Sequence, residues 1–215
     1  MENKEKKLCR AFCLSGVLGL IFYALHDIVG AANYPGYKWM SQAVSDLTAT
    51  DAPSFAIAKG FSSAHGVLSV VCGLFVLVLV QNRHKLTKLG VALFATKSVI
   101  SAIGYSLFPL SSAGYDGSVQ SFIHSFIITS VVVMLSIVSL LLIGIGSFKD
   151  GRKALGGLAF AALALMFIGA VGSGAAPKDY FGIFERFSTY SDVTFMAVMG
   201  LFHFAEKESE ATVEA

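Results

Sequence analysis

Along this chain the apolar residues collect in six long stretches rather than in narrow amphipathic stripes. They run from Cys9 to Ala31, Ile57 to Val80, Leu86 to Phe108, Val119 to Ser147, Leu155 to Ala175 and Phe187 to Phe204. A helix rises 1.5 Å per residue, so about 20 mainly apolar residues cross a hydrocarbon layer of about 30 Å. The pattern predicts an all-α integral membrane protein, a single bundle of six transmembrane helices over residues 9–205. A basic tail precedes it at 1–8 and an acidic tail follows at 206–215. The first long connection, residues 32–56, has another rhythm. Trp39, Met40, Ala43, Val44 and Leu47 recur at helical spacing, with Gln42, Ser45 and Asp46 opposite them. This predicts a short interfacial helix anchored by Trp39 at the lipid headgroups and broken by Asp51-Ala-Pro53.

Composition agrees and narrows the class. Of 215 residues 14% are charged and 55% hydrophobic, with a mean hydropathy of +0.70. A soluble domain carries about 25% charge and could not enclose so much apolar surface. Disorder needs the reverse balance. A net charge of +2 leaves no electrostatic footprint for nucleic acid.

The basic residues set the orientation. Eleven of the 16 lie in the two tails and in the connections after the second and fourth stretches. Such residues accumulate in cytoplasmic loops, so both termini are expected in the cytoplasm and the protein in the cell membrane. His26-Asp27 ends a first stretch long enough to span, which reads as a retained helix and not a cleaved signal. Cys9, Cys13 and Cys72 have no paired spacing and read as packing residues.

With that orientation, the polar residues fall almost entirely in the outer half. Tyr23, His26, Asp27 and Gly30 share one face of the first span, and Lys59, Ser62, His65, Gly66 and Ser69 one face of the second. Lys97, Ser101 and Gly104 do so on the third; Ser121, His124, Ser125 and Thr129 on the fourth; Glu185, Ser188 and Asp192 on the sixth, beside Arg186. Hydrocarbon cannot satisfy these groups, so the stripes must converge. The expected result is one polar pocket open to the outer surface, lined by His26, Asp27, Ser45, Asp46, Lys59, His65, Lys97, His124, Glu185, Arg186 and Asp192. Lys97, the one basic residue deep in a span, should pair with a carboxylate, Asp192 first.

Several chemistries suit these residues. Lys97 and Arg186 would hold an anionic group, making a binding protein for a polar small molecule or a lipid headgroup. His26, His65 and His124 with an aspartate would supply zinc ligands for an intramembrane hydrolase acting on a lipid-like substrate. His65 and His124 as axial ligands would make a haem or quinone carrier, and a structural membrane protein is the plain alternative. The lipid bilayer is the one partner the residues imply; no nucleic acid and no protein partner is evident.

Gln42-Ala-Val-Ser-Asp-Leu47 followed by Ala52-Pro53, then Phe108-Pro109, His124 and Gly182-Ile-Phe-Glu-Arg186, occur in that order. On these motifs the chain resembles the domain-of-unknown-function 998 family of prokaryotic multi-pass membrane proteins. The resemblance covers most of the chain. It implies a six-span bundle with recurrent polar positions at Ser45, Asp46, His124, Glu185 and Arg186, and no assigned reaction.

Overall fold

The computed structural model describes residues 3–206. Helices α1 (Asn3–Cys13) and α2 (Ser15–Ala32) run end to end with one interruption at Leu14. They are followed by α3 (Phe55–Leu79) and α4 (Lys85–Leu107). Next, α5 (Val119–Phe122) continues through a wide π turn at Ile123–Ile128 into α6 (Thr129–Lys149). Last come α7 (Lys153–Ala175) and α8 (Phe181–Ala205). Six rods result, with no strand among the described residues. Five are long and apolar enough to cross a membrane. The sixth, α8, has the length at 25 residues, but Glu185, Arg186 and Asp192 dilute its hydropathy.

Helix α1 begins at Asn3, so most of the basic segment is the first turns of a helix and not a separate tail. Of the acidic segment at 206–215, only Glu206 lies among the described residues, and it pairs with Arg83 and Arg152. That pairing brings the end of α8 to the α3–α4 and α6–α7 connections. We call this the terminal end of the bundle and the other the distal end.

The rods form a ring. Each packs on its neighbours in the chain, α2 closes against α8, and α3 meets α8 across the middle. One apolar core fills the terminal half, built from Cys72, Val76, Phe94, Leu140, Ile143, Phe195 and Met199 among others. Helix association in lipid rests on close packing, and Gly146 allows it here, because a Cβ there would run into the backbone of Thr87.

At the distal end, residues 33–54 form a strap over the helix ends. Only Val44–Thr48 is helical, as a single 3-10 turn, which corrects the expected amphipathic helix. Val44 and Leu47 are 1% and 0% exposed and pack on Ala58, Tyr23, Tyr34 and Tyr37, while Trp39 stays 55% exposed. The strap has its own small core because Val44 and Leu47 turn onto the ends of α2 and α3. A second connection, after α4, is stitched to it where Thr50 N donates to Leu110 O at 2.9 Å.

Candidate functional site

Beneath the strap lie two buried ion pairs. In the first, Lys97 Nζ on α4 donates to Asp192 Oδ2 on α8 at 2.6 Å, the pair expected from sequence. Ser136 on α6 donates to the other carboxylate oxygen at 2.9 Å. The ring of Phe94, one turn below, lies 4.2 Å from the ammonium. A burial this deep, 5% exposure for the lysine side chain, is tolerable only because the charge is compensated on the spot. Beside the pair is a cavity of about 30 Å³ lined by His65, Ser69, Ser98 and Ser101. That is room for about one water molecule.

In the second pair, Arg186 on α8 grips Asp27 on α2 with both arms of its fork. Nη2 donates to Oδ1 at 2.6 Å and Nε to Oδ2 at 2.9 Å. Tyr190, one turn along α8, donates to Oδ2 at 3.1 Å. The guanidinium also donates to Tyr37 Oη at 2.9 Å and to the carbonyls of Trp39 at 2.7 Å and Gln42 at 3.1 Å. Every arm is occupied, so Arg186 fastens the strap to α8 and is not free to hold an anion. Its neighbour Glu185 helps, accepting Val44 N at 3.2 Å. Gly182 allows the close approach, since a Cβ there would strike the carbonyls of Trp39 and Gln42.

Asp46 joins the two distal loops. Its carboxylate accepts Ala43 N at 3.1 Å and Gly114 N at 2.8 Å. Burial raises its pKa, with those two N–H groups pulling the other way. Ser45, half-buried beside it, contributes its carbonyl to Thr48 Oγ1 at 3.1 Å. The motif therefore fastens the strap to the connection after α4.

The histidines do not converge. His65 Nδ1 sits 3.0 Å from Gly19 O, and His124 Nδ1 2.8 Å from Phe108 O. His26 is 3% exposed with neither ring nitrogen hydrogen-bonded. Tyr23 stands between His26 and His65, at 5.7 and 5.0 Å between ring centroids, and His124 packs on Tyr105 instead. Among the described residues no three His, Cys, Asp or Glu side chains group to hold a metal ion. The zinc set of His26, His65 and His124 is corrected accordingly: each imidazole was legible as polar and inward, but each belongs to a different neighbourhood. A haem bridged by His65 and His124 finds no more support, because the two rings turn to different carbonyls.

That leaves Lys59. Of the three basic side chains on the long helices of the distal half, Lys97 and Arg186 are ion-paired. Lys59, in the first turns of α3, has no carboxylate partner among the described residues. Its Nζ lies 3.4 Å from Ser106 Oγ on α4. It interacts electrostatically with both His26 and His124. Thus, of these three helix-borne cations, Lys59 is the one without a carboxylate partner among the described residues.

Residues 17–202, which include both buried ion pairs, the three histidines and Lys59, match the family described as "Protein of unknown function (DUF998)". The chain belongs to the DUF998 family. No curated protein and no solved structure matches it.

In this DUF998 chain the polar residues that sequence reasoning passed over include Tyr37, Tyr190, Ser136, Ser98 and Ser106. Tyr190 follows Arg186 by one helical turn, and Ser136 continues the Thr129 face two turns on, so both carried a signal. Tyr37, in the strap, carried none. The π turn at Ile123–Ile128 was also silent in the sequence. It leaves Thr129 Oγ1 donating to His124 O at 2.8 Å, within 3.1 Å of Tyr105 Oη. Such turns concentrate at functional sites in helices.

Proposed function

We propose that this DUF998 protein lies in the cell membrane with both termini in the cytoplasm and binds a polar, anionic group at its distal end, around Lys59. The eleven basic residues gathered on one side support the orientation. The observation that carries the binding reading is the state of Lys59, a cation at the rim of a polar bundle without a carboxylate partner among the described residues. Its ammonium and the Ser106 hydroxyl at 3.4 Å offer donors to a phosphate-like group. The headgroup of a lipid in the facing leaflet is one source of such a group, and a small soluble anion is the other.

The test is thermal unfolding of the purified protein in neutral-lipid nanodiscs, with phosphatidylglycerol or inorganic phosphate added. Phosphatidylglycerol should raise the midpoint of the wild type and leave Lys59→Met unmoved. An equal rise with inorganic phosphate would assign the site to a soluble anion. No rise with either, or the same rise in Lys59→Met, would overturn the reading.

A further inference from the structure

On the reading of Lys59 given above, we infer that the anion it holds is the phosphate of an anionic phospholipid. The lipid sits from the side on the seam between α3 and α4, with an acyl chain along Val67 and Ile103.

The surface around Lys59 decides between a lipid and a dissolved anion. Lys59, Ser63 and Val67 follow one another on one face of α3, and Ser106 and Ile103 stand one turn apart on α4. The lysine side chain crosses the seam to Ser106 Oγ at 3.4 Å. Ser63 and Ser106 are both exposed. Towards the terminal end the seam turns apolar at once, with Val67 63% and Ile103 54% exposed. On the distal side of Ser106, Leu107 is 67% exposed. An ammonium and its neighbouring hydroxyls are thus set in an outward-facing apolar border. In a spanning bundle such a face meets acyl chains, which cannot satisfy the ammonium.

The way inward is closed. A Cβ on Gly66 would meet that of Ala102 at 3.1 Å, so α3 and α4 touch below Lys59. Ala58, beside Lys59, is buried in the small core with Val44 and Leu47. Whatever Lys59 holds therefore stays on the outer face of the seam.

Affinity points the same way. One lysine at a lipid surface favours an anionic headgroup by about fivefold. A dissolved anion would have that attraction and the hydroxyls alone. A phospholipid adds apolar contact with Val67 and Ile103, and it is already confined to the bilayer, so it gives up less freedom on binding. Phosphate beside a chain matches ammonium beside an apolar seam.

The experiment uses the full chain carrying Trp39→Phe, with Ile103→Trp as the reporter, in nanodiscs. Lipid brominated on its acyl chains quenches an indole that it touches. Brominated phosphatidylglycerol should reach half-quenching at about one-fifth of the mole fraction that brominated phosphatidylcholine needs. Lys59→Met should make the two lipids equal. Val67→Trp should repeat the pattern from α3, and Phe167→Trp on α7 should show no preference. Equal quenching by the two lipids at both Ile103→Trp and Val67→Trp, with Lys59 in place, would overturn the inference. Soluble glycerophosphoglycerol tells that failure from failure of the Lys59 reading. If it raises the unfolding midpoint in phosphatidylcholine nanodiscs, and Lys59→Met removes the rise, the anion is a dissolved one and only the lipid falls. If neither probe gives a response that depends on Lys59, both fall.

Discussion

In the terminal half, α3, α4, α6 and α8 meet through Val76, Phe94, Leu140, Ile143, Phe195 and Met199, all buried and apolar. In the distal half the same four helices meet through Ser69, Lys97, Ser136 and Asp192. The change takes one helical turn, from Phe94 to Lys97 on α4 and from Met196 to Asp192 on α8. Apolar packing already joins these helices, and a buried ion pair is weak evidence for stability because its desolvation offsets its attraction. A bundle needing only cohesion would have continued the terminal pattern. The distal pattern supports the binding role proposed for that half.

Breaking the strap should have the largest effect. Arg186→Met leaves Asp27 buried without its partner and releases Trp39 and Gln42, which should cost about 3–5 kcal/mol. Unfolding in mixed micelles would measure it, and a near-neutral result would mean that the strap is held by something else. Next comes Asp192→Asn, about 3 kcal/mol, which leaves Lys97 unpaired beside a water-sized cavity. Adding Lys97→Met should recover part of that loss, and strictly additive damage in the double mutant would dissolve the pair as a unit. The terminal half should respond to volume alone. Ile143→Val there should cost about 1 kcal/mol, with no dependence on pH or salt.

The smallest effects separate two distal carboxylates. Asp46 is raised by burial, so its folded form holds a proton more readily than the unfolded chain. Its contribution to stability is therefore full at acid pH and declines as pH rises through the ordinary carboxylate range. Asp116 is the opposite case, lowered from 3.8 to about 2 by the Ser118 N–H that it accepts at 2.9 Å. Its contribution is present above about pH 4 and is lost as pH falls towards 2. Carboxyl resonances followed by NMR should titrate in that order, and a shared midpoint would contradict both.

The rods were legible because hydrocarbon demands long apolar stretches with satisfied backbone. So was the depth of the polar residues, and the pairing of Lys97 with Asp192 followed from the cost of a lone charge. Which partner Arg186 takes was not legible: Asp27 lies 159 residues away in the chain, and only the closure of α2 on α8 brings them together. The strap was misread for a related reason. The helical spacing of Trp39 to Leu47 is real, but hydrogen bonds to Arg186, Glu185 and Gly114 outweigh local periodicity there. The three histidines showed their polarity and depth in the sequence, and their separation only in the assembled ring.

The central claim, that the distal half is the binding half, is tested most directly by native mass spectrometry of the protein released from phosphatidylglycerol nanodiscs. Lys59→Met and Lys88→Met would be compared with the wild type, since Lys88 is a cation at the terminal end. The account predicts that anionic lipid retained by the wild type is lost in Lys59→Met and kept in Lys88→Met. Equal retention in both variants, or loss confined to Lys88→Met, would contradict it.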